Sequence, residues 1–379
     1  MTRSRPNVWK NPTFIFSVIF LVIIAVVLTI LFVPPRAFKA FERSLSPAQS
    51  WNISASSGPL VMSPDGPSVA VGVRGRGVEL RLIKDGAISA TLATGADLPG
   101  SEPVVVTALA FSPDGAYIAS MSTKGPNSFY GVLQLWRVDS GAMAAEEGLE
   151  GDRLTEVAFS PDGAWLAAGG AGRKVLLWST QGGSLTLSWT IPARPEVPRP
   201  DSCCKGSYIV LIRFSPDSGE LVVGSADDTL LTFRIPSGEQ ISLEEGFTND
   251  MVIRGSAEIM ALSDNGKYIA VRQSGSSSAY FGKREGAVYM FDLWGHSSET
   301  GVLAFRPGGG LIAGGAGERI MGEYGEPDSS ILLWRLSDGK QQLRLNGHGS
   351  YITDLVWTPD GEQLISSSAD STVRVWEIR

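Results

Sequence analysis

Histidine and cysteine are scarce in this chain of 379 residues, which contains two of each. The cysteines are neighbours, Cys203 and Cys204, so they form neither a disulfide framework nor the spaced pairs of a zinc site. They are loop thiols, or a vicinal or intermolecular disulfide. His296 and His348 each follow a glycine and lie nine residues before the same repeated turn motif, which favours a structural role. No histidine is then left for base catalysis, and we expect no enzyme activity, cofactor or metal.

A basic surface is missing from most of the chain. Residues 1–43 carry six Lys/Arg and one acid, so the net charge of -7 for the whole chain leaves -12 on the remainder. Nucleic-acid binding requires a basic footprint that displaces counterions from the phosphates. The acidic remainder therefore argues against a nucleic-acid partner.

One long hydrophobic run is present. The twenty residues Phe14–Val33 contain only two mildly polar side chains, and as a helix rising about 1.5 Å per residue they would cross the ~30 Å hydrocarbon core of a bilayer. Pro34 and Pro35 end the run because neither can donate the next helical hydrogen bond. A cleaved signal peptide has a shorter apolar region followed by small residues. The sequence therefore predicts an uncleaved transmembrane helix.

This helix divides the N-terminal region into a basic tail, residues 1–13, the span, residues 14–33, and a juxtamembrane tether, residues 34–46. Three Lys/Arg lie on each side of the span, so the charge-bias rule hardly distinguishes the two orientations. A short basic tail before a first span favours a cytoplasmic N-terminus. We therefore expect the rest of the chain to lie outside the cytoplasm.

The pentapeptide Phe-Ser-Pro-Asp-Gly and close variants of it recur seven times, at spacings of 43 to 55 residues. A fixed period of this size indicates one supersecondary unit repeated along the chain. Proline presets its φ and glycine tolerates a positive φ, so the motif is typical of a tight turn. The copies begin at Met62, Phe111, Phe159, Phe214, Leu262, Phe305 and Trp357.

Short stretches with alternating apolar residues surround each turn. In the second unit they are Val105–Phe111 before the turn, Ala116–Ser120 after it, and Val132–Trp136 further on. A polar turn then precedes a fourth stretch in several units. Alternation at period two between such turns predicts β-hairpins. Four strands per unit, repeated seven times, predict an all-β fold: a seven-bladed β-propeller of four-stranded antiparallel blades, preceded by one transmembrane helix.

The last unit carries the most complete motif, with Gly347-His348 at its start and Trp376 near its end. It resembles the WD-repeat family, and its Phe-Ser-Pro-Asp-Gly turns resemble those of bacterial-type repeats. The resemblance implies a hydrogen-bonded tetrad of His348, Ser366, Asp370 and Trp376. It also implies a non-catalytic propeller that binds protein partners.

The resemblance extends over residues 47–379, but the tetrad is degraded in the other units. Gly172 stands at the place of Asp370, for example, whereas Asp227 keeps the acid. Apolar packing between neighbouring blades should therefore supply most of the stability.

Two strand assignments decide how the ring is built. The chain ends three residues after Trp376, so the last blade lacks a fourth strand, and residues 47–54 are expected to supply it and close the ring. In the fifth unit we assign Ala279–Lys283 as the third strand and Val288–Trp294 as the fourth. The alternative takes Val288–Asp292 as the third strand and omits the fourth.

Strand order predicts where a partner binds. The second-to-third and fourth-to-next-first connections share one face, which collects the long connections, and the tight turns share the other. Insertions confined to one face of a repeat array are typical of a binding face. Aromatic residues, methionine and arginine are frequent interface anchors, and the candidates of these types in the long connections are Phe129, Tyr130, Arg194, Arg199, Phe247, Met251 and Tyr324.

The sequence thus favours a membrane-anchored scaffold that binds a protein or peptide through the face bearing the long connections. The alternative is a small-ligand sensor or a propeller enzyme that uses the central channel. No Ser-His-Asp set, phosphate-binding loop or zinc spacing supports that alternative.

Overall fold

A computed structural model describes most of the repeat region. The described residues are 43–53, 57–93, 103–124, 130–150, 154–170, 174–192, 209–225, 229–245, 257–273, 277, 279–285, 288–318 and 328–378. Within this part of the chain no helix is long and apolar enough to cross a bilayer. The predicted span, Phe14–Val33, lies outside the described residues.

The described strands form seven sheets, which we number as blades 1 to 7. Within each blade the successive strands pair antiparallel, as predicted. Blades 1 to 3 contain β3 (Ser57–Met62), β4 (Ser68–Val73), β5 (Gly77–Leu82) and β6 (Ile88–Leu92); β7 (Val104–Phe111), β8 (Tyr117–Lys124), β9 (Tyr130–Arg137) and β10 (Met143–Glu150); and β11 (Leu154–Phe159), β12 (Trp165–Gly170), β13 (Lys174–Ser179) and β14 (Thr186–Pro192).

Blades 4 to 7 continue the same order. They contain β15 (Ile209–Phe214), β16 (Glu220–Ser225), β17 (Thr229–Arg234) and β18 (Gln240–Glu245); β19 (Ala257–Leu262), β20 (Tyr268–Gln273), β21 (Ala279–Lys283) and β22 (Val288–Leu293); β23 (Thr300–Phe305), β24 (Leu311–Ala316), β25 (Ile331–Arg335) and β26 (Gln341–Leu345); and β27 (Ile352–Trp357), β28 (Gln363–Ser368) and β29 (Thr372–Glu377).

The first strands of the blades form a closed ring around the axis of the propeller. Each first strand contacts the first strand of the next blade, and the ring ends with β27 against β3. Buried side chains fill the space between neighbouring blades, as Leu135 of blade 2 and Trp178 of blade 3 do in one shared cluster. The small, buried alanines of the second strands, such as Ala167 and Ala168, allow the sheets to approach closely.

Two N-terminal strands complete the propeller. β2 (Gln49–Asn52), which lies within the predicted closing segment, pairs antiparallel with β29 and gives blade 7 its fourth strand. β1 (Arg43–Leu45) pairs parallel with β26 and adds a fifth strand to blade 6. The compact unit therefore begins at Arg43, four residues before the boundary expected at residue 47. The last residues of the predicted tether belong to a sheet.

Blade 5 has all four strands. β21 pairs with both β20 and β22, with Ala279 opposite Leu293. The assignment of Ala279–Lys283 as the third strand is confirmed, and the predicted fourth strand, Val288–Trp294, is present but ends at Leu293. The alternative that omits the fourth strand is wrong.

The repeated turn is fixed by its own side chains. In blade 2, Ser112 Oγ donates to Asp114 Oδ1 at 2.6 Å and accepts from the Tyr117 N–H at 2.8 Å. Gly115 takes the positive φ that the turn requires, +71°. The hydroxyl of Ser112 is the main cause of the lowered pKa of Asp114, and the Ala116 N–H adds to it. These hydrogen bonds thus stabilise the turn locally, and they occupy the carboxylate of Asp114.

Candidate interaction face and axial channel

The strand ends define two faces. The loop-bearing face carries the second-to-third and fourth-to-next-first connections, and the turn face carries the other two. The longest connections, residues 193–208, 246–256 and 319–327 among them, all begin and end on the loop-bearing face and lie outside the described residues.

The predicted partner-binding residues belong to these connections. Tyr130 begins β9, although its side chain is not among those described. The other six lie outside the described residues: Phe129, Arg194, Arg199, Phe247, Met251 and Tyr324. Gly172, Asp227 and the two cysteines also lie there.

In blade 7 the four residues implied by the resemblance form one hydrogen-bonded chain. Trp376 Nε1 donates to Ser366 Oγ at 2.9 Å, and Ser366 Oγ lies 2.7 Å from His348 Nε2. His348 Nδ1 lies 3.0 Å from Asp370 Oδ2. A neutral imidazole protonated at Nδ1 satisfies every partner in this order. The chain runs from the core of the blade to its loop-bearing face.

Asp370 and His348 join two connections of the loop-bearing face. Asp370 also accepts the N–H of Gly349 at 2.8 Å and both the N–H and the hydroxyl of Thr372. Burial raises the pKa of Asp370, but these hydrogen bonds and His348 outweigh it and lower the pKa to about 2. Burial lowers the pKa of His348, with Asp370 opposing. The imidazole is therefore neutral near pH 7, and both of its nitrogens take part in the network.

Blade 6 has a similar histidine–aspartate pair with different hydrogen-bond partners. His296 Nδ1 lies 3.0 Å from Asp328 Oδ2, but its Nε2 lies 3.1 Å from the carbonyl oxygen of Gly314, which stands where blade 7 has Ser366. Although burial opposes it, hydrogen bonding to His296 lowers the pKa of Asp328. Trp334 donates instead to the Trp294 carbonyl oxygen at 2.9 Å.

The sequence predicted a structural role for His296, and Asp328, which lies 3.0 Å from its Nδ1, was not among the residues singled out. The signal was present in the spacing. Asp328 precedes Trp334 by six residues, as Asp370 precedes Trp376. That spacing identifies the aspartate that pairs with the histidine even where the serine is absent.

Other blades lose the network stepwise. In blade 2, Trp136 Nε1 donates to Ser120 Oγ at 2.9 Å. In blade 3, Ala168 stands at the place of that serine, and the indole N–H of Trp178 is buried without a hydrogen-bond partner in the part of the chain that the structure describes. Blade 3 is therefore held by apolar packing, as expected for the degraded units.

Three carboxylates lie on the ring of first strands, and the sequence motifs singled out none of them: Glu156, Asp354 and Glu258, whose side chain is not among those described. Glu156 and Asp354 each stand three residues before the last residue of their strand and follow a threonine. Asp354 Oδ2 accepts the N–H of Leu60 in blade 1 at 2.7 Å, and its Oδ1 accepts the N–H of Leu355. Asp354 therefore joins blade 7 to blade 1 where the ring closes. The shared Thr-acid pair at one offset from the turn was the signal.

The charge of Arg213 acts on both Glu156 and Asp354, and the charge of Asp354 acts on Glu156. Burial raises the pKa of Asp354 to about 6, although the backbone N–H groups and Arg213 oppose this. Burial raises the pKa of Glu156 to about 7; Arg213 lowers it and Asp354 raises it. The three groups come from the first strands of blades 3, 4 and 7, which belong to the ring of strands around the axis. Among the described residues no cluster of His, Cys, Asp and Glu is arranged to hold a metal ion.

Three segments of the chain match the WD domain, G-beta repeat family: residues 92–136, 148–179 and 339–377. Coronin-7 of Rattus norvegicus is 46% identical over 52 residues, which cover 14% of this chain and 6% of coronin-7. A chromatin assembly factor 1 protein of Gallus gallus is 28% identical over 111 residues, covering 24% and 18% of the two chains. The matches thus span less than a fifth of these relatives.

A chain in a solved structure described as a crystal structure of the mitotic checkpoint complex has the same fold, with a TM-score of 0.67. It is 14% identical, and the match covers 88% of this chain and 92% of that one. Together with the repeat matches, the seven-bladed architecture supports a WD-repeat family for this chain.

Proposed function

We propose that this chain is a non-catalytic scaffold, tethered to a membrane by Phe14–Val33, that binds a protein or peptide partner through its loop-bearing face. WD-repeat propellers act in protein–protein interaction, and the bacterial-type turns extend the same family resemblance. The mitotic checkpoint and chromatin assembly proteins are named for multi-protein complexes. Which partner this chain binds does not follow from them.

One observation carries the proposal: every long connection starts and ends on the same face. In blades 6 and 7 the pairs His296–Asp328 and His348–Asp370 each join two connections of that face. A rigid ring that presents variable connections on one face is typical of a binding scaffold.

The axial channel offers less support for an enzyme or a small-ligand sensor. Both oxygens of Asp354 already accept backbone N–H groups, so this acid serves ring closure. Glu156 has a raised pKa but no neighbouring histidine or metal cluster in the described part of the chain. We therefore keep the channel as the rival proposal and the loop-bearing face as the favoured one.

The test is quantitative affinity capture of the full chain from detergent-solubilised membranes. Phe247→Ala and Tyr324→Ala should each reduce recovery of a specific partner, because buried aromatic anchors carry much of the binding energy of an interface. Leu187→Ala is the matched control, since this exposed apolar side chain lies on β14 near the turn face. Equal recovery with all three variants would refute partner binding through these two connections.

The tether needs its own test. The full chain should resist alkaline extraction from membranes, and Ile24→Arg combined with Val27→Arg should release it, because charged side chains are unfavourable at the centre of a bilayer. For orientation, a cysteine introduced at Ser350 in a background without Cys203 and Cys204 should react with an impermeant thiol reagent in intact cells. Labelling only after lysis would place the propeller in the cytoplasm.

A further inference from the structure

The tight turns of neighbouring blades touch around most of the turn face. At three places a β-carbon added to the turn glycine would lie within 4 Å of a proline in the preceding turn: Gly66 faces Pro359, Gly115 faces Pro64 and Gly163 faces Pro113. Hydrogen bonds replace this contact elsewhere. The Asp162 N–H donates to Ser218 Oγ at 3.1 Å, and Arg306 Nε donates to the Gly361 carbonyl oxygen at 2.8 Å.

The series of contacts is interrupted on both sides of blade 5. Its turn has Asp264 in place of proline. A β-carbon at Gly266 would meet only Arg284 of its own blade within 4 Å, and one at Gly309, the turn glycine of blade 6, would meet no described atom. Next to this gap, the turns of blades 3, 4 and 5 enclose a cavity of about 560 Å³, a volume within the range of ligand sites.

The apolar residue that ends the first strand is half-exposed only in the three blades that form this cavity. The last residue of each first strand is buried in the other four blades: Met62, Phe111, Phe305 and Trp357. Its equivalents in blades 3, 4 and 5 are Phe159, Phe214 and Leu262, which are half-buried and line the cavity. The opening therefore exposes a wall of two phenylalanines and a leucine.

Four charged residues line the cavity: Arg213, Glu220, Asp264 and Arg284. Arg284 is ion-paired with Glu244 of blade 4 at 2.8 Å, whereas Arg213 stands at a position where the other blades have small apolar side chains. The residue preceding the last residue of the first strand is Val or Ala in six blades: Val61, Ala110, Ala158, Ala261, Ala304 and Val356. Blade 4 has Arg213, which is exposed and lines the cavity. Its Nη1 donates to the Ile212 carbonyl oxygen at 2.8 Å. Its charge acts on Glu156 and Asp354 and lowers the pKa of both, but neither forms an ion pair with it.

We propose that this cavity binds the C-terminal residues of a partner protein, with an aromatic or branched side chain against Phe159, Phe214 and Leu262 and the free α-carboxylate on Arg213. A guanidinium beside an apolar wall matches a carboxylate attached to an apolar residue. The site lies on the turn face, so it is separate from the loop-bearing face. Its test is therefore independent of the test of the proposed function. The scaffold would then hold two partners at once, one on each face.

The probe is the peptide acetyl-Gly-Gly-(4-fluoro-Phe) with a free carboxylate, titrated with the full chain in detergent micelles and followed by fluorine NMR line broadening. The matched probes are the same peptide as its C-terminal amide and acetyl-Gly-Gly-Ala with a free carboxylate as competitor. We expect the amide to bind about tenfold more weakly, because it loses the charge-assisted hydrogen bonds, and the alanine peptide to compete poorly. Empty micelles give the blank.

Arg213→Gln should remove the difference in affinity between the acid and the amide, and Arg213→Lys should restore part of it. The control is Arg234→Gln, which changes an exposed arginine of the same blade that is paired with Glu239. This variant should behave as the wild-type chain. Hydrogen exchange of the wild-type chain should show protection by the peptide at residues 213–216 and 262–266, which keeps the test valid if a variant fails to fold. Equal affinity of acid and amide, an unchanged difference in Arg213→Gln, or protection elsewhere would overturn the proposal.

Discussion

Blades 7 and 3 share one four-stranded geometry but treat the tryptophan of the third strand differently. In blade 7, Trp376 donates to Ser366, and the network continues through His348 to Asp370. In blade 3, Trp178 is equally buried, yet its indole N–H has no partner within the described residues. Apolar packing therefore suffices to form a blade. The polar network has a further role, because it fastens the connections of the loop-bearing face.

Removing the histidine of blade 7 should give the largest effect. His348→Ala leaves Asp370 and Ser366 buried without their partner, and we expect it to lower the free energy of unfolding by about 3 kcal/mol. Urea unfolding of the variant measures this. Ser350→Ala, in the same connection, is the control and should change stability by less than ~0.5 kcal/mol. Equal losses in both variants would show that the network is not what fastens this connection.

The axial acid of blade 3 should give a pH-dependent effect. The pKa of Glu156 is raised to about 7 in the folded chain, so its contribution to stability is fully present below the ordinary glutamate pKa and is lost as pH rises towards 7. Glu156→Gln should therefore stabilise the chain by about 2 kcal/mol at pH 8 and have little effect at pH 4. Thermal unfolding across this range measures the difference. The exposed Glu362→Gln should show no such dependence, and a pH-independent effect of Glu156→Gln would contradict the raised pKa.

Ser366→Ala should make blade 7 resemble blade 3. The change leaves the N–H of Trp376 and the Nε2 of His348 without the hydroxyl that joins them, and we expect a loss of about 1.5 kcal/mol in the free energy of unfolding. The indole fluorescence and urea midpoint of the variant report it. A neutral result would mean that water or a shift of the side chains replaces the hydroxyl at no cost.

The reverse change in blade 3 should be stabilising but small. Ala168→Ser places a hydroxyl at the position that Ser366 has in blade 7, where it can accept the N–H of Trp178, and we expect a gain of about 1 kcal/mol. Ala167→Ser, one residue away on the opposite face of β12, buries a hydroxyl without that indole and should destabilise. If both serines destabilise, the Trp178 site lacks the geometry for the bond.

Most of the architecture was predictable because the same sequence pattern recurs in every unit. Seven copies of one turn, with alternating strands around each, gave the number of blades, and the same period resolved the strands of blade 5. The segment expected to close the ring contains β2. In each case a local pattern recurs often enough to be recognised without knowledge of contacts.

Features that depend on single contacts were not predictable in this way. Arg43–Leu45 is three residues long and pairs parallel with β26, so neither a turn nor a hydrophobic period marks it. The cavity beside Arg213 is lined by the turns of three blades, which lie far apart in the sequence. Glu156 and Asp354 share an offset from the turn, but their proximity to one axis appears only when seven blades are closed into a ring. The long connections, where the predicted anchors lie, carry no period at all.

Site-specific photo-crosslinking of the full chain in intact cells tests the central claim most directly. Benzoylphenylalanine would replace Phe247, Tyr324 or Ser350 on the loop-bearing face, and the exposed Ile88 on the outer strand of blade 1 as the reference. The account predicts a common protein adduct from the loop-bearing positions and none from Ile88. Adducts from Ile88 alone, with none from the other three positions, would contradict it.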